Sequence, residues 1–186
     1  MSAQEALMAH GDLLLDYTAH LRMMHLWFHG AHHLTSGTGF GGDHVDLFGR
    51  IYLEIQEQID GAIEKSIGLV GEELGDPLKI TLKAVELMQG YQTPTGQSAT
   101  AIALTGLQIE RDFLDFCQEM YHTLEAEGAL TLGLDDMIMA NANAHESFVY
   151  LLQQRVREAM QAQKPQGVAV TPAAQMVAPA AATRGQ

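Results

Sequence analysis

The chain has 186 residues, a length that suits one domain with its own hydrophobic core and is short for two. Hydrophobic residues make up 47% of it, so it should fold by burial, while a formal net charge of −13 argues against a general affinity for nucleic-acid phosphates. A single cysteine, Cys117, allows no internal disulfide, and the sequence has neither a basic leader nor an apolar run of the ~18 residues that span a bilayer, which favours a cytoplasmic protein without a membrane segment.

Four long segments carry hydrophobic residues at helical spacing. The first covers about 3–34 and stops at a cluster of glycines, and the second covers about 44–70, where Asp43 is expected to accept from the free amides of the first turn. The third covers about 98–126 and the fourth about 134–163. Cys117 lies in the third segment at a position that suits a small apolar residue, so we expect it to be buried.

A fifth, short helix is predicted between the second and third long ones. Gly75, Asp76 and Pro77 provide a stop, an N-cap and a proline for the first helical position, and Gly90 ends the short segment. No segment shows a convincing strand pattern. The sequence therefore predicts an all-α, ferritin-like four-helix bundle with a short helix in the B–C crossover, the connection between the second (B) and third (C) long helices.

The domain is expected to cover 1–163. The remaining residues, 164–186, are rich in Ala and Pro and have no periodicity, so they should form a disordered C-terminal tail.

Two rows of side chains could bind a metal. On the second helix, Asp60 and Glu64 are four residues apart and lie on one face, where they could reach a common cation. On the first helix, His25, His29 and then His32 or His33 follow one another at spacings of three or four residues, and imidazole suits iron, zinc and copper. Taken separately, each row is more typical of a solvated helix face.

A di-iron centre inside the bundle is a further alternative. It requires a Glu-x-x-His motif on each of two helices and a glutamate from each of the others. This chain offers one such motif, Glu119 to His122, and on the fourth helix His145 precedes a glutamate instead of following one. An internal centre is therefore disfavoured, and Glu119 and His122 are interpreted as surface residues.

The order of these features resembles the ferroxidase segment of the Dps family, the DNA-protecting mini-ferritins. In that family, a turn with a histidine at each end precedes a helix that carries an aspartate and a glutamate. The turn is matched here by His32, Gly37, Phe40 and His44. The helix is matched approximately by Asp60, Ala62, Glu64 and Lys65. With the short crossover helix and the segment AHESFVYLLQQRV, the likeness extends over most of 5–158.

The resemblance implies a hollow homo-oligomer of twelve bundles. Its iron centre would lie across a two-fold interface, with His32 and His44 of one subunit facing Asp60 and Glu64 of the next. Iron(II) would be oxidised there, preferentially by hydrogen peroxide, and iron(III) mineral would collect in the cavity. Zinc could occupy the same ligands.

The match in the turn does not decide which of two neighbouring histidines is the ligand. Counting from the turn selects His32, whereas counting back from Asp60 selects His33, as if one extra residue lay between His44 and Phe48. His33 also stands where the family has a tryptophan, so it is either an added ligand or a solvent-facing side chain.

Two further expectations follow from the resemblance. Asp135 and Asp136, near the start of the fourth helix, are similar to the acidic lining through which iron passes at the family's three-fold axis, although acidic residues also stabilise a helix start by themselves. Both ends of the chain lack the lysines with which the family binds DNA, so direct DNA binding is not expected. The alternative is a catalytically silent shell or metal-binding interaction protein with the same fold.

Overall fold

A computed structural model describes residues 3–162 of the protein, and the expected tail at 164–186 lies outside the described residues. The described part is helical and contains no strand. Its α-helices are α1 (Ala3–Met8), α2 (Gly11–Leu34), α3 (Arg50–Leu69), α4 (Pro77–Met88), α5 (Ala99–Ala126) and α6 (Leu132–Ala162). A π-helical segment (Gly42–Gly49) leads into α3, and a 3₁₀ turn (Glu72–Gly75) follows it. The predicted all-α bundle with a short helix in the crossover is confirmed.

The four long helices form two antiparallel pairs. Gly11, at the start of α2, lies against Val70 just after α3, so the chain folds back along α2. Contacts between α2 and α5 likewise run in opposite directions, because Phe28 lies at Gly106 and Tyr17 lies against Phe113. As a result, α3 and α5 point the same way, and the connection that contains α4 must travel the length of the bundle.

The short helix α4 begins as its sequence predicts. The Asp76 carboxylate accepts from the backbone amides of Leu78 (2.8 Å) and Lys79 (3.4 Å), and Pro77 occupies the first helical position, where its missing N–H is not needed. After α4, the indole N–H of Trp27 donates to the carbonyl oxygen of Gln92 at 3.0 Å. This bond fastens the crossover to α2.

One long first helix was expected, and this prediction is wrong. Residues Ala9 and His10 form a turn closed by short-range bonds, Ala9 N to Ala6 O at 3.1 Å and His10 N to Leu7 O at 2.8 Å. Gly11 has a low helix propensity, which weakens a continuous helix at this point. The break allows α1 to bury Leu7 completely in the core.

The apolar stripes of the long helices meet in a single core. Its largest fully buried side chains are aromatic: Trp27, Tyr17, Phe28, Phe48, Phe113 and Phe148. Cys117 is buried among them, as predicted. Across the described residues, no helix combines the length and the apolarity needed to cross a membrane.

Candidate metal centre

The turn between α2 and α3 leads into a π-helical segment. A π-helical stretch accommodates a residue in excess of the α-helical number without breaking the helix. Here Gly42–Gly49 is π-helical, and it contains the interval from His44 to Phe48 in which the two ways of counting predict one extra residue. The segment lets Phe48 reach the core, with its ring 6.3 Å from Phe28, while His44 lies back over the end of α2.

An ion pair between a buried carboxylate and a half-buried guanidinium anchors this turn to the far helix. Asp43 is buried, and it accepts from Arg155 of α6 through two bonds, Nε to Oδ1 at 2.6 Å and Nη2 to Oδ2 at 2.8 Å. The Thr35 hydroxyl lies 3.5 Å from Oδ2. The expectation that Asp43 caps the helix is therefore wrong, because its carboxylate satisfies a guanidinium from another helix instead of the local amides.

His32 and His44 form a reciprocal pair. The Nδ1–H of His32 donates to the carbonyl oxygen of His44, and the Nδ1–H of His44 donates to the carbonyl oxygen of His32, each at 2.5 Å. The rings stack with centroids 3.7 Å apart and planes 17° from parallel. Because a carbonyl only accepts, both Nδ1 atoms carry the proton, and in a neutral ring each Nε2 keeps its lone pair for a ligand.

Gly49 makes this close approach of two histidines sterically feasible. A Cβ at Gly49 would lie 2.7 Å from the carbonyl oxygen of His44 and 3.3 Å from the Nδ1 of His32. Any side chain there would push the two histidines apart. The sequence motif did not single out Gly49, although a glycine one turn after His44 is its visible signal.

His29 and His33 of α2 lie on the exposed side of this pair. The Nε2 of His33 lies 3.2 Å from the Nε2 of His29 and is not bonded to His44. The Tyr52 ring lies among them, 4.9 Å from the ring of His29 and 5.1 Å from that of His32. Of the two alternatives left open by counting, the structure therefore sets His32 beside His44 and pairs His33 with His29.

Asp60 and Glu64 are both exposed on α3, but they are far from these histidines within one chain. They follow Gly49 by three to four helical turns, about 16 to 22 Å along the helix axis. Leu53, also exposed, lies on the same face of α3 at spacings of seven and eleven residues. Within residues 3–162, no group of three or more His, Cys, Asp or Glu side chains is arranged to hold a metal ion.

Asp135 lies in the first turn of α6, and Asp136 follows it. At the start of this helix, the Thr131 hydroxyl accepts from the amide of Leu134 at 3.2 Å. Asp136 is exposed. Asp135 is half-buried, its Oδ1 has no hydrogen-bond partner, and its charge raises the pKa of the neighbouring Tyr121.

Glu119 and His122 are exposed, as interpreted from the sequence. The closest carboxylate to the His122 ring is that of Glu125, with Nδ1 and Oε2 3.8 Å apart.

Sequence reasoning missed a polar cluster in the bundle core. His145 Nδ1 lies 2.6 Å from Oε2 of Glu110, and its Nε2 lies 2.8 Å from Oε1 of Gln58, so one imidazole joins α6, α5 and α3. Both His145 and Glu110 are fully buried. Burial raises the pKa of Glu110, and His145 opposes that shift. Glu110 Oε1 and Gln58 Nε2 have no further partner.

Two antiparallel helix pairs, a long crossover with its own short helix and a histidine-rich turn define a Dps-like ferritin fold. Among solved structures, Dps from Mycobacterium smegmatis in a tetragonal crystal form superposes with a TM-score of 0.69. The match covers 82% of this chain and 88% of that one, at 17% sequence identity. No protein-family model matches the sequence, and no curated protein matches it at a significant level.

Proposed function

We propose that the protein is a Dps-like iron-storage and detoxification protein. In this proposal, two copies meet about a two-fold axis and complete ferroxidase centres, each with His32 and His44 of one copy and Asp60 and Glu64 of the other. Twelve copies enclose a cavity in which iron(III) mineral is stored. The observation that carries the proposal is the reciprocal bonding of His32 and His44.

That bonding supports a ligand role because metal-binding histidines usually donate their second ring N–H to a carbonyl or carboxylate, which fixes the tautomer and the ring orientation. Both rings meet this requirement within one turn of chain. The Asp43–Arg155 pair holds the turn in place, and the absence of a side chain at Gly49 leaves room for the two histidines. The half-site is therefore preorganised before any metal arrives.

A second copy is needed because the carboxylates lie several turns away on α3. The surface of α4 favours association with a further copy, since it exposes Leu78, Leu82 and Val85 at spacings of four and three residues on one face. An exposed apolar stripe of this kind is typical of an interface. A two-fold axis would use the same surface twice and complete two centres at once.

The donor set suits iron(II) as the substrate. Two imidazoles and two carboxylates form a mixed nitrogen and oxygen site of the kind that oxidising iron prefers. Peroxide takes two electrons, one from each of two ferrous ions, and leaves as water when its oxygens are protonated. The ferric ions then hydrolyse and pass to the mineral. Zinc would compete for the same ligands without redox chemistry.

The remaining parts of the proposal concern access and location. Asp135 and Asp136, at the electropositive start of α6, would line a three-fold passage for iron. Protection of DNA would be chemical, by removal of iron and peroxide in the cytoplasm, because the net charge of −13 opposes direct binding to duplex DNA.

The test is a comparison of iron oxidation rates. The purified protein is given iron(II) without oxygen, then peroxide, and ferric absorbance is followed. We expect His32→Ala and Asp60→Ala to slow oxidation at least ~10-fold, because even the loss of a residue that only hydrogen-bonds to a metal ligand reduces activity by that factor. His122→Ala removes a matched exposed histidine and should leave the rate unchanged. Equal rates in the wild type and both variants would make the protein a catalytically silent shell. Size-exclusion chromatography of the same samples checks for the dodecamer.

A further inference from the structure

His29 and His33 form a second histidine pair, separate from His32 and His44. They lie four residues apart on the exposed face of α2, one turn above the other. Their Nε2 atoms are 3.2 Å apart, and their ring planes are inclined at 71°. Two histidines at this spacing on one helix face are a known way to bind zinc.

The separation of the two nitrogens matches a shared cation. A zinc–imidazole bond is about 2.0 to 2.1 Å long, so one ion bonded to two nitrogens 3.2 Å apart would subtend an angle of about 100°. That angle lies between the ideal octahedral and tetrahedral values. If both Nε2 atoms carried lone pairs they would repel each other at this distance, so a proton or a cation must lie between them.

The surroundings keep the pair in place and leave room for other ligands. The Tyr52 ring packs 4.9 Å from the His29 ring and limits its rotation. The His25 ring stacks one turn earlier, 6.0 Å from His29. His29 and His33 are both exposed, so water can complete the coordination shell of a bound ion.

We propose that His29 and His33 chelate a divalent transition-metal ion of the zinc, copper or nickel class through their Nε2 atoms. A site with only imidazole donors disfavours magnesium and calcium, which prefer oxygen ligands, and it binds zinc, copper and nickel more tightly than iron(II). This site does not depend on the ferroxidase proposal. The two are chemically distinct because the Nδ1 atoms of His32 and His44 are engaged with carbonyl oxygens, whereas His29 and His33 bond to each other.

The test is a zinc titration of the full-length protein by isothermal titration calorimetry. His29→Ala and His33→Ala should each weaken zinc binding at the same set of sites at least ~10-fold. Because both histidines serve one site, the double variant should lose no more zinc binding than either single variant. His32→Ala should retain this class, and His122→Ala serves as the exposed-histidine control. Circular dichroism and gel filtration confirm that each variant is folded.

Two outcomes would overturn the proposal. One is an unchanged number of zinc sites in His29→Ala and His33→Ala. The other is loss of the same sites in His32→Ala, which would mean that His33 and His32 serve one common centre. Failure of the ferroxidase proposal would be recognised by a different result, an iron oxidation rate in His32→Ala equal to that of the wild type. That result would not change the zinc sites lost in His29→Ala.

Discussion

The histidines at the end of α2 and the histidine in the bundle core are held in opposite ways. His32 and His44 each use one ring nitrogen on a backbone carbonyl, and no hydrogen bond within the described residues engages the other nitrogen. His145 is fully buried, and both of its ring nitrogens contact side chains of other helices, Glu110 and Gln58. The partners of an imidazole, more than its position in a motif, therefore indicate whether it is available to a metal.

This difference assigns different tasks to the two regions. A buried glutamate is costly unless it is paired, so the fold depends on His145 to compensate Glu110. The His32–His44 pair is half-exposed, and water can replace its contacts if one ring is lost. Substitutions in the core should thus change stability, whereas substitutions at the turn should change metal binding.

The largest expected effect on stability is that of His145→Ala. The change leaves the Glu110 carboxyl group buried without its hydrogen-bond partner and opens a cavity where the imidazole packed, so the free energy of unfolding should fall by about 3–5 kcal/mol. Urea denaturation followed by circular dichroism measures it.

His32→Ala is the comparison, with an expected loss of about 1 kcal/mol, the contribution of an ordinary hydrogen bond. Equal losses in the two variants would remove the distinction between a structural and a binding histidine.

Gly49→Ala should have the next largest effect. The added methyl group would overlap the carbonyl oxygen of His44 at 2.7 Å, so we expect about 1–3 kcal/mol of destabilisation and weaker iron binding at the turn. Gly68→Ala is the matched control, because Gly68 is exposed in α3 and a methyl group added there would meet no other atom within 4 Å. That variant should gain about 0.5–1 kcal/mol. If Gly49→Ala were equally stabilising, the turn would not require glycine.

The pH dependence of stability tests the buried histidine cluster through the protonation of Glu110. Burial raises the pKa of Glu110 above its ordinary value of 4.5, so the folded state favours the protonated acid. This contribution is complete below pH 4.5 and is lost as the pH rises through the folded-state pKa. Relative to Glu110→Gln, the wild type should therefore lose stability as the pH rises from 4.5 towards neutrality, measured by urea denaturation at a series of pH values. If the stability of the wild type relative to Glu110→Gln stayed constant or increased as the pH rises, the pKa of Glu110 would not be raised by folding.

The smallest effect is expected at Cys117. Burial raises the pKa of its thiol to about 12, so very little reactive thiolate exists at pH 8. Ellman's reagent should leave the native protein unlabelled and react fully after denaturation. Rapid labelling of the native protein would show that this part of the core opens to solvent.

The sequence allowed the main helices to be predicted because their signals are local. Asp76 and Pro77 mark the start of α4, and Gly128, at φ +65°, marks the end of α5, each through the chemistry of a few adjacent residues. The extra residue expected after His44 stays a prediction, and the π-helical segment is a conformation that can accommodate it. Asp43 was misread because its partner, Arg155, lies on a distant helix.

The core cluster was missed for the same reason. Its members are separated by 35 and 87 residues, and helical periodicity describes one helix at a time. A signal was nevertheless present, since Glu110 lies seven residues from Ala103 and Cys117, and His145 lies seven residues from Ile138 and Leu152, in register with buried positions. A titratable residue in an apolar stripe predicts a buried polar partner elsewhere.

The central claim, that each centre takes histidines from one subunit and carboxylates from its neighbour, is tested most directly by subunit complementation. His32→Ala and Asp60→Ala chains are each assayed alone and then co-expressed in equal amounts and assayed for peroxide-driven iron oxidation. A two-fold pair with one chain of each kind contains one centre with both residues intact, so random pairing should restore about a quarter of the centres. Activity in the mixed shell well above the slow rate of either parent is the predicted result. A mixed shell as inactive as its parents would contradict the claim.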